Sequence, residues 1–207
     1  MISYNELVKL GFSSDTYSEI LLTVRLGSDI NVAPIGVLMK NQELIIRVFK
    51  GSKTYSMLLS GAKECVINVT RNPKYFYHAI FRKDKIMLTD AVKVSVKRVA
   101  DCNAYIECII SNIELKDGYL TAYLKPIFVE ISSYYPLTFN RAEPAIIEAL
   151  VHYTKIPYYR SLNISANEII RKISFLREIV YRSSKNIELR RIIDDIIDRT
   201  RKLLEEK

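Results

Sequence analysis

Short β-branched and aromatic runs, separated by turn residues, fill the chain from Tyr17 to Ser133. Ile20, Leu22, Val24 and Leu26 recur at every second position, the signature of a strand with one buried face. Leu44-Ile45-Ile46-Arg47-Val48-Phe49 and Cys65-Val66-Ile67-Asn68-Val69 are runs of buried-strand type, and Val92-Lys93-Val94-Ser95-Val96-Lys97 alternates strictly. Tyr105–Asn112 and Ile113–Leu124 read as long strands, with Lys116-Asp117-Gly118-Tyr119 as a hairpin turn. Two short helices interrupt this pattern. One covers Lys53–Ser60 after Gly51-Ser52; the other covers Pro73–Phe81, with Asn72 as N-cap and Pro73 at the first helical position.

From Asn140 onward the apolar period changes to that of a helix. Ile146, Ile147, Leu150 and Val151 mark one helix, entered through Glu143-Pro144. Ser165-Ala166-Asn167-Glu168 is a capping-box pattern that opens a second, striped by Ile169, Ile173, Leu176 and Val180. A last helix carries Leu189, Ile193, Ile196 and Leu203 on one side and charge on the other, which assigns Asp194, Asp195 and Asp198 to a solvated face. The fold class predicted is mainly β with α. Residues 1–139 form a closed or nearly closed barrel of mostly antiparallel strands, and residues 140–207 form a helical C-terminal subdomain.

Composition narrows the function classes. With 49% hydrophobic and 26% charged residues among 207, the chain is a folded globular one, not a disordered segment. No stretch approaches the roughly 18 apolar residues of a membrane span, and Met1-Ile2-Ser3-Tyr4-Asn5-Glu6 lacks the pattern of a secretory leader, so a cytoplasmic protein without a membrane partner is expected. Cys65, Cys102 and Cys108 are too widely spaced for a zinc pattern or a disulfide framework, and two histidines leave no His-rich metal site. The net charge of +8 is evenly spread: residues 1–139 carry 17 basic and 13 acidic side chains, residues 140–207 carry 14 and 10, so each part is +4. A mildly cationic surface of this kind favours an anionic ligand; without a basic arm it argues against a nucleic-acid partner.

Two segments carry candidate chemistry. In Arg47-Val48-Phe49-Lys50-Gly51-Ser52-Lys53-Thr54 a strand ends, Gly51 permits a tight turn and a helix begins, so hydroxyls from Ser52 and Thr54 and charge from Arg47, Lys50 and Lys53 converge where a phosphate ester would bind. In Asn31-Val32-Ala33-Pro34-Ile35-Gly36-Val37 the proline removes one ladder donor, which confines the segment to an edge and leaves backbone groups for a planar heterocycle. Taken singly, a capped helix beside solvated lysines accounts for the first segment equally well, and an edge strand guarded by proline accounts for the second better.

The order of the pieces adds to this. Asn31-x-Ala33-Pro34-x-Gly36, then Gly51-Ser52-Lys53-Thr54-Tyr55, then Val66-Ile67-Asn68-Val69-Thr70-x-x-Pro73-x-x-Phe76 resembles the FMN-binding split barrels. The likeness is to a mainly archaeal, uncharacterised branch related distantly to flavoredoxins and flavin reductases, and Asn140-Arg141-Ala142-x-x-Ala145-x-Ile147-Glu148-Ala149 is similar to that branch's join between barrel and helices. The resemblance implies FMN as cofactor, with its phosphate at Ser52, Lys53 and Thr54 and with Arg47 and Lys50 as charge partners. It places the ring system against the backbone of Asn31, Ala33, Pro34 and Ile35, with Asn68 as a further polar contact. It also implies a homodimer with the flavin near the interface, approached by Asn140 and Arg141, and a reduced nicotinamide as one candidate donor. The chemistry would belong chiefly to the cofactor, and no side chain stands out as general acid or base. The rival readings are a nucleic-acid-binding barrel and a structural or regulatory dimer of the same fold without turnover.

Overall fold

Residues 4–14, 17–132 and 141–205 are described by the computed structural model, and they fall into two units. Residues up to 70 and from 78 to 132 form one; residues 71–77 and 141–205 form the other.

The first unit begins with helix α1 (Tyr4–Lys9) and carries strands β1 (Ser18–Leu26), β2 (Asp29–Lys40), β3 (Glu43–Phe49) and β4 (Glu64–Val69), with helix α2 (Lys53–Leu59) between the last two. A two-stranded flap, β5 (Leu88–Thr89) and β6 (Arg98–Val99), precedes the long strands β7 (Ala104–Lys116) and β8 (Tyr119–Ile131). Six strands close into an antiparallel barrel in the order β1-β2-β3-β8-β7-β4, with β4 bonded back to β1. Tight turns set the registers. Asn41 and Gln42 both take positive φ, 51° and 67°, the geometry that matches strand twist in a two-residue hairpin. Gly118 supplies φ +80° at the β7–β8 turn anticipated from Asp117-Gly118.

Alternation decides which side chains enter the core. Leu22 and Val24 of β1, Leu44, Ile46 and Val48 of β3, and Leu120, Ala122 and Leu124 of β8 all point inward and are buried. Strand β3 is thus half-buried where a fully buried run was expected, because Arg47 and Phe49 face out. Strand β1 departs the other way: Leu21 and Thr23, on its outer face, are also fully buried.

The strand expected at Val92–Lys97 does not form. Its alternation survives in the burial of Val94 and Val96, but its N–H groups have other acceptors. Glu107, fully buried on β7, accepts from the N–H groups of Val92 (2.7 Å), Lys93 (2.5 Å) and Val94 (3.0 Å). Glu64 accepts from the N–H and the hydroxyl of Ser95. Two carboxylates take the place of a neighbouring strand, as buried backbone donors must be paired somewhere.

The second unit contains the opening of helix α3 (Pro73–Phe81) and helices α4 (Ala142–Thr154), α5 (Ile156–Ser161), α6 (Ala166–Ser183) and α7 (Ile187–Glu205). The caps are as expected: Asn72 Oδ1 accepts from Lys74 N–H, and Ser165 Oγ from Glu168 N–H. Apolar stripes meet in the middle, with Ile146, Leu150, Ile169, Ile173, Val180, Ile193 and Ile196 buried. The acidic run on α7 corrects the expectation of a solvated face. Asp194 accepts from Arg177 (2.5 Å) and the Tyr181 hydroxyl (2.6 Å), and Asp195 from the Tyr77 hydroxyl (2.7 Å) and Arg199 (2.6 Å). Only Asp198 of the three is exposed. Among the described residues no helix is long and apolar enough to cross a membrane, and no group of His, Cys, Asp and Glu is arranged to hold a metal ion.

Candidate functional site

Strands β2 and β3 part company along their length. They pair only over Val37–Lys40 with Glu43–Ile46, so residues 29–36 of β2 keep β1 as their one partner strand, and Arg47–Phe49 of β3 keep only β8. Pro34 therefore sits on a half-edge, where its missing N–H breaks no ladder on the open side. Gly36 has its open face taken by the Tyr17 ring, which a Cβ would meet at 3.2 Å.

Helix α2 is entered where β3 ends. Gly51 takes φ +91°, a conformation that favours glycine, and turns the chain. Ser52 then caps the helix: its oxygen accepts from Tyr55 N–H at 3.1 Å while its hydroxyl donates to the Phe49 carbonyl at 3.0 Å. The serine hydroxyl is thus engaged in shaping the turn. Lys53 is half-exposed and pairs with Asp29 at 3.4 Å. Thr54 points inward and is buried.

Asn31 shares the inward face of β2 with Ala33 and Ile35, by strand alternation. It is 3% exposed, and its amide donates to Thr54 Oγ1 at 2.9 Å. Its oxygen accepts from Lys83 Nζ at 2.5 Å. These bonds fix the amide orientation and leave the Thr54 hydroxyl proton for another acceptor. Lys83 stands in the short 3-10 turn Lys83–Lys85 and has no sequence motif around it, so sequence reasoning missed it. Burial, and secondarily the Lys53 ammonium, hold its pKa below the ordinary lysine value. Among the described residues Lys83 makes no ion pair with a carboxylate; its partner is a neutral oxygen.

The other expected residues are placed as follows. Ala33 and Pro34 are half-buried and Ile35 is 8% exposed, all on the stretch of β2 that β3 does not cover. Arg47 lies over the Tyr119 ring at 5.8 Å on the outer wall, beside exposed Phe49, and Lys50 follows at the strand end, exposed. Asn68 stands apart from the cluster. It is fully buried on the outer face, where its amide donates to the Leu21 carbonyl and Thr23 Oγ1, both at 2.9 Å, and its oxygen accepts from Val99 N–H at 2.7 Å. That side chain is spent on pinning β4 to β1 and to the flap. Arg141 occupies the N-cap of α4 in the second unit, and Asn140 lies outside the described residues.

The structure therefore brings Asn31, Lys53 and Thr54 together, adds Lys83, and sets Ser52 beside them as the cap. Two ammonium groups, a hydroxyl proton and an amide in one place make a donor set suited to an anionic oxygen cluster such as a phosphate monoester. A half-buried ammonium bonded only to an amide oxygen carries charge that a phosphate would balance.

A family model described as "Protein of unknown function (DUF447) N-terminal domain" matches residues 18–133. No curated protein matches the chain. Among solved structures, an FMN-bound DUF447 protein from Methanosarcina mazei is similar at 22% identity, covering 94% of this chain and 99% of that one, with a TM-score of 0.74. That likeness establishes the shared fold, a split barrel with a helical C-terminal part. A flavoredoxin from Methanosarcina acetivorans (13% identity, 58% of this chain, 72% of that one, TM-score 0.49) and an FMN-binding protein from Thermus thermophilus (10%, 55%, 71%, 0.48) are more distantly similar.

Proposed function

We propose that the chain, which belongs to the DUF447 family, binds FMN and acts as a flavin-dependent oxidoreductase of flavin-reductase type. The observation that carries this reading is the cluster of Asn31, Thr54, Lys53 and Lys83 at the parting of β2 and β3. In it, Lys53, Lys83 and the Thr54 hydroxyl hold the phosphate, while the Ser52 cap keeps the turn in shape. The backbone of Asn31–Ile35 faces the ring system along the uncovered edge. Arg47 and Lys50 add positive potential from the outer wall. When bound, FMN supplies hydride acceptance and one- or two-electron transfer. The chain's own residues bind, orient and limit access, and none is assigned a proton-transfer role. On this reading the protein works as a cytoplasmic homodimer with the flavin near the interface, and a reduced nicotinamide is its donor.

The test is a visible absorption spectrum of the protein purified without added cofactor, followed by an FMN titration. Flavin absorbance, or saturable uptake near one FMN per chain, is expected, and the double variant Ser52→Ala, Thr54→Ala should release it. A colourless protein that takes up no FMN overturns the reading.

A further inference from the structure

Cys65 of β4 and Cys108 of β7 are direct register partners across the ladder. Both are free thiols, both are 0% exposed, and both point into the barrel core. Paired residues in antiparallel strands stand about 4.5–5.5 Å apart at Cα. A disulfide accepts Cα separations of roughly 4.4–6.8 Å. The Cα separation of the pair thus falls within the range a disulfide spans. Because Ile110 N–H donates to the Lys63 carbonyl two positions along the ladder, Cys65 and Cys108 form a hydrogen-bonded pair, the wider kind, and the bond closes with a local adjustment of the two strands.

We propose that Cys65 and Cys108 form a latent cross-strand disulfide site that covalently closes the β4–β7 seam when the protein meets a small-molecule disulfide. One thiolate attacks the small disulfide, releasing a first thiol and forming a mixed disulfide. The second thiolate attacks the protein sulfur of that intermediate and displaces the second thiol. Two cysteines lose two protons and two electrons; the oxidant is reduced to two thiols. Spacing conceals the site in the sequence, since 42 residues separate the pair. Burial pushes the Cys108 thiol well above its ordinary pKa, and exchange needs the thiolate, so the reaction proceeds through opening of the barrel. The third cysteine, Cys102, is also buried but precedes β7 and has no place on the ladder. The inference is independent of flavin binding.

The test uses the full chain, equilibrated in a reduced and oxidised glutathione buffer at the urea midpoint of unfolding, then returned to buffer, alkylated and mapped by mass spectrometry. In the opened chain Cys102 and Cys108 close the shortest ring, so recovery of a Cys65–Cys108 link requires the native register. That link is expected, with a rise in Tm of about 10 °C over the reduced protein. The variant Cys102→Ser should keep both the link and the rise. A Cys102–Cys108 link, persistent mixed disulfides, no link at all, or a Cys65–Cys108 link that lowers Tm would each overturn the proposal.

Discussion

The Asn31 amide donates to the Thr54 hydroxyl at 2.9 Å, tying strand β2 to helix α2 between residues 23 positions apart. Both groups are buried, and Lys83 holds the other end of the same amide. Thr54→Val keeps the side-chain shape and deletes the acceptor, leaving a buried donor unpaired at a cost of about 1–3 kcal/mol. Urea unfolding should register that loss. Combined with Asn31→Ala, the two effects should be non-additive by at least ~0.5 kcal/mol, as for groups in direct contact; strict additivity would show that the bond does not matter.

Lys83→Met should weaken FMN binding by about tenfold or more, the worth of one charge-assisted hydrogen bond. Riboflavin, which lacks the phosphate, should bind the variant and the parent alike. Equal weakening for both ligands would make Lys83 a scaffold residue only. Since its pKa lies below the ordinary lysine value of 10.5, the parent should lose FMN affinity with rising pH earlier than an ordinary lysine would dictate. The Lys83→Met variant should lack that phase.

Glu107→Gln replaces a carboxylate that accepts three backbone N–H groups with an amide whose NH2 faces donors. A loss of about 3 kcal/mol or more is expected for charge-assisted bonds in a buried setting. Amide exchange at Val92, Lys93 and Val94 should accelerate more than exchange along β2. Uniform acceleration would point to general destabilisation instead.

His152 gives the helical unit a pH dependence. Its Nδ1 contacts the Tyr159 hydroxyl at 2.8 Å, and Glu148 lies 3.5 Å from Nε2. Burial lowers its pKa below the ordinary 6.5, with Lys172 and Lys155 acting in the same direction and Glu148 against them. The unfolded chain therefore binds the proton first as pH falls. The contribution is fully present above 6.5 and declines below it, down to the folded-state pKa. Unfolding measured between pH 7.5 and 5 should show this decline in the parent and a flatter profile in His152→Gln.

Much of this architecture was legible in local pattern. The caps at Ser52, Asn72 and Ser165, the turn at Gly118 and the stripes of α6 and α7 all follow from neighbours within a few residues. Of the candidate site, Asn31, Lys53 and Thr54 were marked by residue type and order. What escaped was long-range. Val92–Lys97 has the alternation of a strand, yet its partners are Glu107 and Glu64, which no local period reveals. Lys83 reaches Asn31 from 52 positions away, and a lone lysine in a short turn looks like any solvated one. Asn68 was ambiguous for the opposite reason: a polar residue in an apolar strand signals a ligand or a backbone pin equally, and only the register with Leu21 reveals the bonds its side chain makes to the backbone.

The place of β4 in the barrel bears on how fast the chain folds. Strands β1, β2 and β3 form a local meander, and β7 with β8 a local hairpin. Closure needs three seams between segments remote in sequence: β3 with β8, β4 with β1, and β4 with β7. Each of these must bear the entropy of closing a long loop before its contacts give any return. The two local groups should therefore assemble early, with insertion of β4 as the slow event, on the millisecond-to-second scale of proteins dominated by distant pairings.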